Sequence, residues 1–245
     1  MSSASRKKVA EPGRICSNVV SERSGTIYRN RMPIPSDPKI YHITHVDNLP
    51  NIIDGKIWSD AERVRRNLNC TLIGMSEIKR RRLEELEVDC HPGTRVGEYV
   101  PFYFCPRSVM LYILHMGNSP GLTYTGGQKP IVHLRADLAA VIQWANTKKK
   151  RWAFSTGNAG AYFAEFYDRA SKLDKVDWDS VAANDWRNPD VKEGKQAEFL
   201  VEHSFPWHLF EMIGVKDQDI ARRVKTLLST AKHRPHVDIK PGWYY

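Results

Sequence analysis

The chain has 245 residues, 41% of them hydrophobic, which is enough apolar content for one folded domain of ordinary size. Lysine and arginine number 37 against 28 aspartates and glutamates, so the net charge of +9 favours an anionic partner such as nucleic acid. The four cysteines (Cys16, Cys70, Cys90 and Cys105) are scattered without a CxxC pair, so neither a zinc site nor a disulfide framework is indicated.

No apolar leader follows Met1, and no apolar run approaches the roughly 20 residues that a membrane-spanning helix needs. We therefore expect a soluble, cytoplasmic protein that does not enter a membrane. Residues 1–36 contain few large apolar side chains and end in a proline-rich stretch, which predicts a flexible basic arm. Residues 37–245 are expected to form a single domain.

Hydrophobic periodicity predicts alternating strands and helices along the first half of this domain. Residues 39–44 alternate as in a strand, with His42 and Thr44 on the face opposite Tyr41 and Ile43. A helix is predicted from residue 45 or 47 to the glycine at 55, followed by a looser stretch at 58–69. Further along we expect a basic helix over 76–86, a strand over 99–105 and a helix over 109–116.

The second half continues in the same manner. The predicted elements are a loop at 117–128, a strand at 130–135, a helix at 138–144, a basic turn at 148–151, a strand at 152–156, a turn at 157–158, a helix at 159–170, a long polar loop at 172–195, a strand at 196–202, a helix at 217–232 and a strand at 236–239. No glycine-rich phosphate-binding motif follows any of these strands. The interleaved pattern favours an α+β domain over a dinucleotide-binding or nucleotide-hydrolase fold.

Several polar residues from separate segments are candidates for chemistry: His42, Thr44, the arginines 80–82, Tyr103, Asn158 and Glu198. Glu198 stands in an apolar strand beside the long polar loop, where either a catalytic carboxylate or a solvated edge glutamate is possible. The arginine cluster is equally compatible with a solvated basic helix face. Spacing alone does not show that these residues converge.

Four stretches nevertheless resemble one family, the DarT DNA ADP-ribosyltransferase toxins, in the same order along residues 39–245. They are YHITHVDNLP at 41–50, YVPFYF at 99–104 with Ser108, Met110 and Leu111, QAE at 196–198, and GWY at 242–244. The resemblance implies an α+β ADP-ribosyltransferase fold, with two small sheets around a central NAD-binding cleft and flanking helices. It also implies transfer of ADP-ribose from NAD to a base of single-stranded DNA with release of nicotinamide.

The resemblance further implies the residues of the site. Glu198 matches the catalytic glutamate and Arg82 the catalytic arginine, with Arg81 as the neighbour that a one-residue gap would select. The NAD-binding positions correspond to His42, Ile43, Thr44, Asn51, Ser59, Arg81, Tyr103 and Asn158. Some relatives carry histidine, which titrates near neutral pH, where this chain has Asn158. The family is described with an arginine base, but an arginine is almost always protonated, so we expect Arg82 to act as an electrostatic clamp.

The loop at 172–195 is expected to hold single-stranded DNA through aromatic and basic side chains, namely Trp186, Arg187, Lys192 and Lys195. Trp178 and Trp186 could instead pin the loop to the core. The motifs at 99–104 and 196–198 look closer to the thymine-modifying branch of the family. The resemblance implies a toxin countered by a DarG-type antitoxin whose macrodomain removes the ADP-ribose, and we expect a monomer that binds no metal.

Two rival functions remain open at this point. One is a transferase of the same fold that acts on guanine, RNA or protein, because a fold does not fix a substrate. The other is a non-catalytic module that binds single-stranded nucleic acid through its positive charge and aromatic residues.

Overall fold

The computed structural model describes Met1 and residues 32–245. The basic arm predicted for residues 1–36 therefore lies almost entirely outside the described residues. The helices are α1 (Leu49–Ile53), α2 (Asp60–Arg65), α3 (Ser76–Glu84), α4 (Val109–Met116), α5 (Leu138–Thr147), α6 (Trp178–Ala182), α7 (Pro189–Gly194) and α8 (Gln218–Leu228). The strands are β1 (Lys39–His45), β2 (Lys56–Trp58), β3 (Tyr99–Tyr103), β4 (Ile131–Asp137), β5 (Trp152–Asn158), β6 (Phe166–Tyr167), β7 (Ala197–Glu202), β8 (Ser204–Pro206), β9 (Phe210–Val215) and β10 (His236–Ile239).

The described strands form two sheets of very different size. An eight-stranded sheet has the order β10-β9-β4-β1-β3-β7-β5-β6, and a second sheet pairs β2 with β8. Neighbours in the large sheet are antiparallel except for β9 and β10, which run parallel. The predicted α+β class is confirmed, although one sheet is large and only the other is small.

Strand β7 occupies the interior of the large sheet, between β3 and β5. Phe199, Leu200 and Val201 are completely buried, so both faces of this strand are covered. Such a run of consecutive apolar residues is typical of a strand buried on both faces. The interior position of β7 fixes the start of the strand, where Glu198 stands, against its two neighbours.

The helix predicted for residues 159–170 is wrong. This segment forms a turn and then the short strand β6, whose Tyr167 pairs with Phe154 of β5. Its aromatic residues do not share one buried face, because Phe163 is 97% exposed while Phe166 is buried. The Asn158 side chain accepts a hydrogen bond from the Gly160 N–H at 2.8 Å, which stabilises a turn rather than a helix start.

Two further segments are more regular than the sequence indicated. The looser stretch predicted at 58–69 contains the end of β2 and the helix α2, whose N-cap Ser59 accepts a hydrogen bond from the Glu62 N–H at 3.3 Å. The polar loop predicted at 172–195 contains a 3-10 turn, α6 and α7. Strands β8 and β9 were not predicted at all.

The C-terminal residues pack against the sheet behind β1. Trp243 contacts Tyr41 edge to face with ring centres 5.3 Å apart, and the Tyr244 hydroxyl donates to the Ile131 carbonyl at 2.7 Å. A Cβ atom at Gly214 would lie 2.3 Å from the Trp243 ring, so the indole requires a glycine at that position of β9. These contacts support the strand that carries His42 and Thr44.

Candidate active site

Glu198 lies at the start of β7, directly opposite Tyr103 of β3 in the strand register. Its side chain is only 4% exposed. Its backbone N–H donates to the Ser155 hydroxyl at 3.1 Å, and that hydroxyl donates to the Gly157 carbonyl at 2.7 Å. The carboxylate is therefore buried and held in a fixed position by two strands, unlike a solvated edge glutamate.

Arg82 forms a bidentate ion pair with Glu198. Its Nη1 donates to Oε1 at 3.0 Å and its Nη2 donates to Oε2 at 2.9 Å, and its side chain is 13% exposed. Burial lowers the pKa of Arg82, but the charge and hydrogen bonds of Glu198 outweigh burial and raise that pKa overall. The guanidinium is thus held firmly in its protonated form.

The neighbouring arginines point elsewhere. Arg81 lies over the Tyr162 ring at 4.3 Å and donates to the Gly160 carbonyl at 3.2 Å. Arg80 is exposed and pairs with glutamates of its own helix. Of the three adjacent arginines, Arg82 is the one that contacts Glu198.

A cleft of about 630 Å³ lies beside this pair, within the range of about 300–1,000 Å³ that is usual for ligand sites. Arg82 lines it together with five of the predicted NAD-binding residues, which are His42, Ile43, Thr44, Asn51 and Tyr103. The other predicted residues do not line the cleft. Ser59 is buried as the cap of α2, while Arg81 and Asn158 bind the turn at Gly160.

His42 is fixed in one orientation, because its Nδ1 donates to the Pro101 carbonyl at 2.8 Å. Burial lowers the pKa of His42 to about 4, despite the opposing effect of that hydrogen bond. The ring is therefore neutral at pH 7 and keeps Nε2 as a hydrogen-bond acceptor. Burial likewise raises the pKa of the Tyr103 hydroxyl, which stays protonated and able to donate.

The cleft also contains charged residues that the sequence did not single out. The Lys79 ammonium binds both carboxylate oxygens of Asp60 at 2.7 and 2.8 Å, and Arg63 lies beside them. Burial raises the pKa of Asp60, but Lys79, Arg63 and Arg82 together outweigh burial and lower it overall. Four cations, Lys56, Arg63, Lys79 and Arg82, thus line one cleft, which suits the diphosphate of NAD.

The residues predicted to bind DNA occupy different environments. Trp186 is half-buried and contacts Tyr112 edge to face at 4.9 Å, with the Lys192 ammonium 6.0 Å from its ring. Arg187 is exposed and paired with Asp185. Lys195 is 3% exposed, and its ammonium donates to the Val181 carbonyl at 3.0 Å, so this side chain does not reach the surface.

Trp178 is the tryptophan that fastens the loop to the core. It is 4% exposed and donates to the Leu173 carbonyl at 2.9 Å. Across Met1 and residues 32–245 there is no group of three or more His, Cys, Asp or Glu side chains placed to hold a metal ion. None of the helices in the same residues is long and apolar enough to cross a membrane.

A family model described as "ssDNA thymidine ADP-ribosyltransferase, DarT" matches residues 41–245. A Thermus sp. (strain 2.9) protein named DNA ADP-ribosyl transferase is 36% identical over 215 residues, which cover 86% of this chain and 98% of that protein. A Mycobacterium tuberculosis protein of the same name is 33% identical, covering 91% of this chain and 94% of its own length. A Thermosipho africanus fusion of DNA ADP-ribosyl transferase and DNA ADP-ribosyl glycohydrolase is 29% identical, covering 80% of this chain and 47% of the fusion.

Solved structures of the Thermus sp. 2.9 DarT resemble this fold closely. Its complex with ADP-ribosylated single-stranded DNA superposes with a TM-score of 0.78 at 34% identity, covering 88% of this chain and all of that one. Its complex with NAD+ gives a TM-score of 0.73 at 34% identity, with coverage of 87% and 100%. This chain therefore belongs to the DarT family of single-stranded DNA thymidine ADP-ribosyltransferases.

Proposed function

We propose that this protein transfers ADP-ribose from NAD to thymine bases of single-stranded DNA, with Glu198 and Arg82 as its catalytic pair. The observation that carries the assignment of these residues is the buried bidentate ion pair, one member of which lines the 630 Å³ cleft. Family membership supports the reaction, and the cleft's volume and its four cations support NAD as the co-substrate.

Glu198 stabilises the positive charge that develops on the ribose as its bond to nicotinamide breaks. Each carboxylate oxygen has two lone pairs, so Glu198 can accept from a ribose hydroxyl while it keeps its hydrogen bonds to Arg82. Its burial strengthens this attraction, because few waters screen the charge. The same environment keeps water from competing with the base.

Transfer breaks one bond at ribose C1′ and forms another. The nicotinamide nitrogen leaves with the electron pair of its bond to ribose C1′, and the thymine ring nitrogen forms the new bond to that carbon. The ring N–H must lose its proton, which an arginine held protonated cannot accept. We assign this proton to Glu198, and we assign to Arg82 the orientation of the carboxylate and the binding of a phosphate or a base carbonyl.

Other cleft residues orient the nicotinamide end. Neutral His42 offers Nε2 as an acceptor, and Ile43 and Thr44 on the same strand line the cleft beside it. Asn51 lies on α1 at the cleft, and Tyr103 carries a protonated hydroxyl opposite Glu198. Ser59, Arg81 and Asn158 act indirectly, through the helix cap and the turn that they stabilise.

Trp186, Arg187 and Lys192 form the proposed DNA-contacting surface of the long loop. An aromatic ring flanked by cations suits unstacked bases and their phosphates. Single-stranded DNA is required because the pairing edge of a base is hidden in a duplex. The buried ammonium of Lys195 excludes this residue from the surface.

The comparisons also support a partner that removes the ADP-ribose. The Thermosipho africanus relative joins transferase and glycohydrolase in one chain. We propose that this protein is a toxin countered by a DarG-type macrodomain antitoxin, and that it acts as a cytoplasmic monomer where NAD and replicating DNA are both present.

Mass spectrometry of short oligonucleotides after incubation with NAD tests this function. We expect an ADP-ribose adduct on thymine in single strands and none on oligonucleotides without thymine, on duplexes, on RNA or on protein.

Glu198→Gln should abolish the adduct while NAD binding persists, and Glu202→Gln, farther along the same strand, should keep it. Adduct formation by Glu198→Gln would refute the role of the carboxylate, and salt-sensitive DNA binding without nicotinamide release would favour a non-catalytic module.

A further inference from the structure

One wall of the cleft has no regular secondary structure. Residues 67–75, between α2 and α3, form neither helix nor strand, and all nine line the cleft. Leu68 and Leu72 in this wall are 39% and 41% exposed, so apolar packing holds these positions only in part. A wall of this kind keeps its shape only if polar contacts fix it to the rest of the fold.

The two ends of the wall are attached to the adjoining helices. Leu68 donates to the Arg63 carbonyl at 3.0 Å, and Met75 accepts from the Lys79 N–H at 3.1 Å. Between them, among the described residues, Thr71 is the one residue of 69–74 whose backbone forms hydrogen bonds. Both of its bonds are with one side chain, that of Asn48.

Asn48 binds Thr71 in both directions. Its Oδ1 accepts from the Thr71 N–H at 2.8 Å, and its Nδ2 donates to the Thr71 carbonyl at 2.9 Å. The second Nδ2 hydrogen is donated to the Thr44 hydroxyl at 3.0 Å. Asn48 is 8% exposed and ends the 3-10 turn that follows β1, so it joins the wall to the strand that carries His42.

We propose that Asn48 is a positioning residue that sets the affinity for NAD by fastening the wall at Thr71. This inference rests on the proposed function, since it takes NAD as the ligand of the cleft. Asn48 borders the cleft, but both of its N–H groups are already donated within the protein. It therefore acts through Thr71 and the wall rather than by donating to the ligand.

Asn48→Asp is the most selective change, because it keeps the shape and the acceptor for the Thr71 N–H but removes both donors. It also places an anion against the Thr71 carbonyl. Thr71→Pro removes the Thr71 N–H, which donates to Asn48 Oδ1. We expect either variant to weaken NAD binding by about tenfold or more, the effect of leaving a buried hydrogen-bonding group unpaired.

Cys70 provides a readout that does not depend on catalysis. It is an exposed free thiol, it adjoins Thr71, and it lines the cleft. Iodoacetamide labelling of Cys70, mapped by mass spectrometry without DNA present, should be slowed by NAD in the unchanged protein. Both variants should need about tenfold more NAD for the same protection, and transfer assays should show a raised KM for NAD with little change in kcat.

Asn146→Asp is the matched control. It makes the same amide-to-carboxylate change at an exposed residue of α5, where the aspartate can still accept from the Trp152 indole. The role of Asn48 would be overturned if Asn48→Asp and Thr71→Pro needed no more NAD than the unchanged protein to protect Cys70. Failure of NAD to protect Cys70 in the unchanged protein would instead contradict NAD binding in this cleft, and with it the proposed function.

Discussion

The ion pair between Arg82 and Glu198 joins a helix to an interior strand of the sheet, and each partner compensates the buried charge of the other. Removing one partner of a buried pair leaves an uncompensated charge and destabilises a protein by about 3–5 kcal/mol. Glu198→Gln keeps an oxygen that can accept from Arg82, so its loss of stability should be smaller. Loss of transfer in that variant therefore reports on the negative charge of Glu198.

Arg82→Lys tests the geometry of the pair. Lysine keeps the charge but cannot donate two parallel hydrogen bonds to one carboxylate. We expect kcat/KM for DNA modification to fall by about a hundredfold, or ~2.7 kcal/mol. Arg80→Lys, two positions earlier on the exposed face of the same helix, should change it less than twofold. An Arg82→Lys enzyme with most of its activity would show that charge alone is sufficient.

Both members of this pair were assigned through the family resemblance, Glu198 from its motif and Arg82 with Arg81 as the alternative. The residues themselves gave no local basis for choosing among three adjacent arginines. Each helical residue is rotated by about 100° from the one before it, so the docking of α3 decides which arginine faces Glu198. Lys79 and Asn48 were missed for the same reason, since their importance comes from contacts with distant segments.

The long loop is the element in which DNA preference is expected to lie. Exchange of residues 183–192 for the matching segment of the Thermus relative would replace Trp186, Arg187 and Lys192 but keep Trp178 and Lys195, which fasten the loop. We expect the preferred sequence around the modified thymine to change while the KM for NAD stays within twofold. Sequencing of modified molecules from a randomised oligonucleotide pool would measure this.

The basic turn at residues 148–151 offers a control for that exchange. It lies at the start of β5, at the opposite end of the strand from Asn158. Substituting Lys148 and Lys149 with serine should leave the preferred sequence unchanged. If the exchange of residues 183–192 left the preferred sequence as unchanged as the two lysine substitutions do, the assignment of DNA reading to that segment would be contradicted.

The segment at 159–170 shows why local pattern failed at the element scale. Its closely spaced aromatic residues match a helix, but Phe154 and Ser155 of β5 offer an open strand edge to Tyr167 and Phe166. Pairing with that edge outweighs the local preference. By contrast, strands β1, β3 and β7 were predicted because their own alternation or apolar runs reflect the faces that they bury.

The stability of the whole molecule should depend on pH through its buried histidines. His133 is completely buried, with Nε2 bonded to the Pro106 carbonyl at 2.9 Å, and burial lowers its pKa from 6.5 to about 4. The unfolded chain therefore binds a proton between these values that the folded protein does not, so stability falls as the pH drops. The contribution of His133 is a loss of about 2 kcal/mol between pH 7 and pH 5.

Urea unfolding at both pH values would measure this loss in the unchanged protein and in His133→Gln. The variant should lose about 2 kcal/mol less over the same interval, whatever its stability at pH 7. The pKa of His42 is also lowered to about 4, so His42 adds a loss of stability of the same sign, which should be present in both proteins. An identical loss in the two proteins would exclude His133 as a source of the pH dependence.

The buried ammonium of Lys195 has a consequence for how such enzymes diversify. Lys195 binds Val181, Trp178 binds Leu173, and the Ser180 hydroxyl binds Asp177 at 2.7 Å, so these three hydrogen bonds join residues of the loop to one another. Residues 183–192 lie outside these hydrogen bonds, so recombination between related genes can exchange that segment and leave them in place. New target sequences could then arise in one step, while the catalytic pair is inherited unchanged.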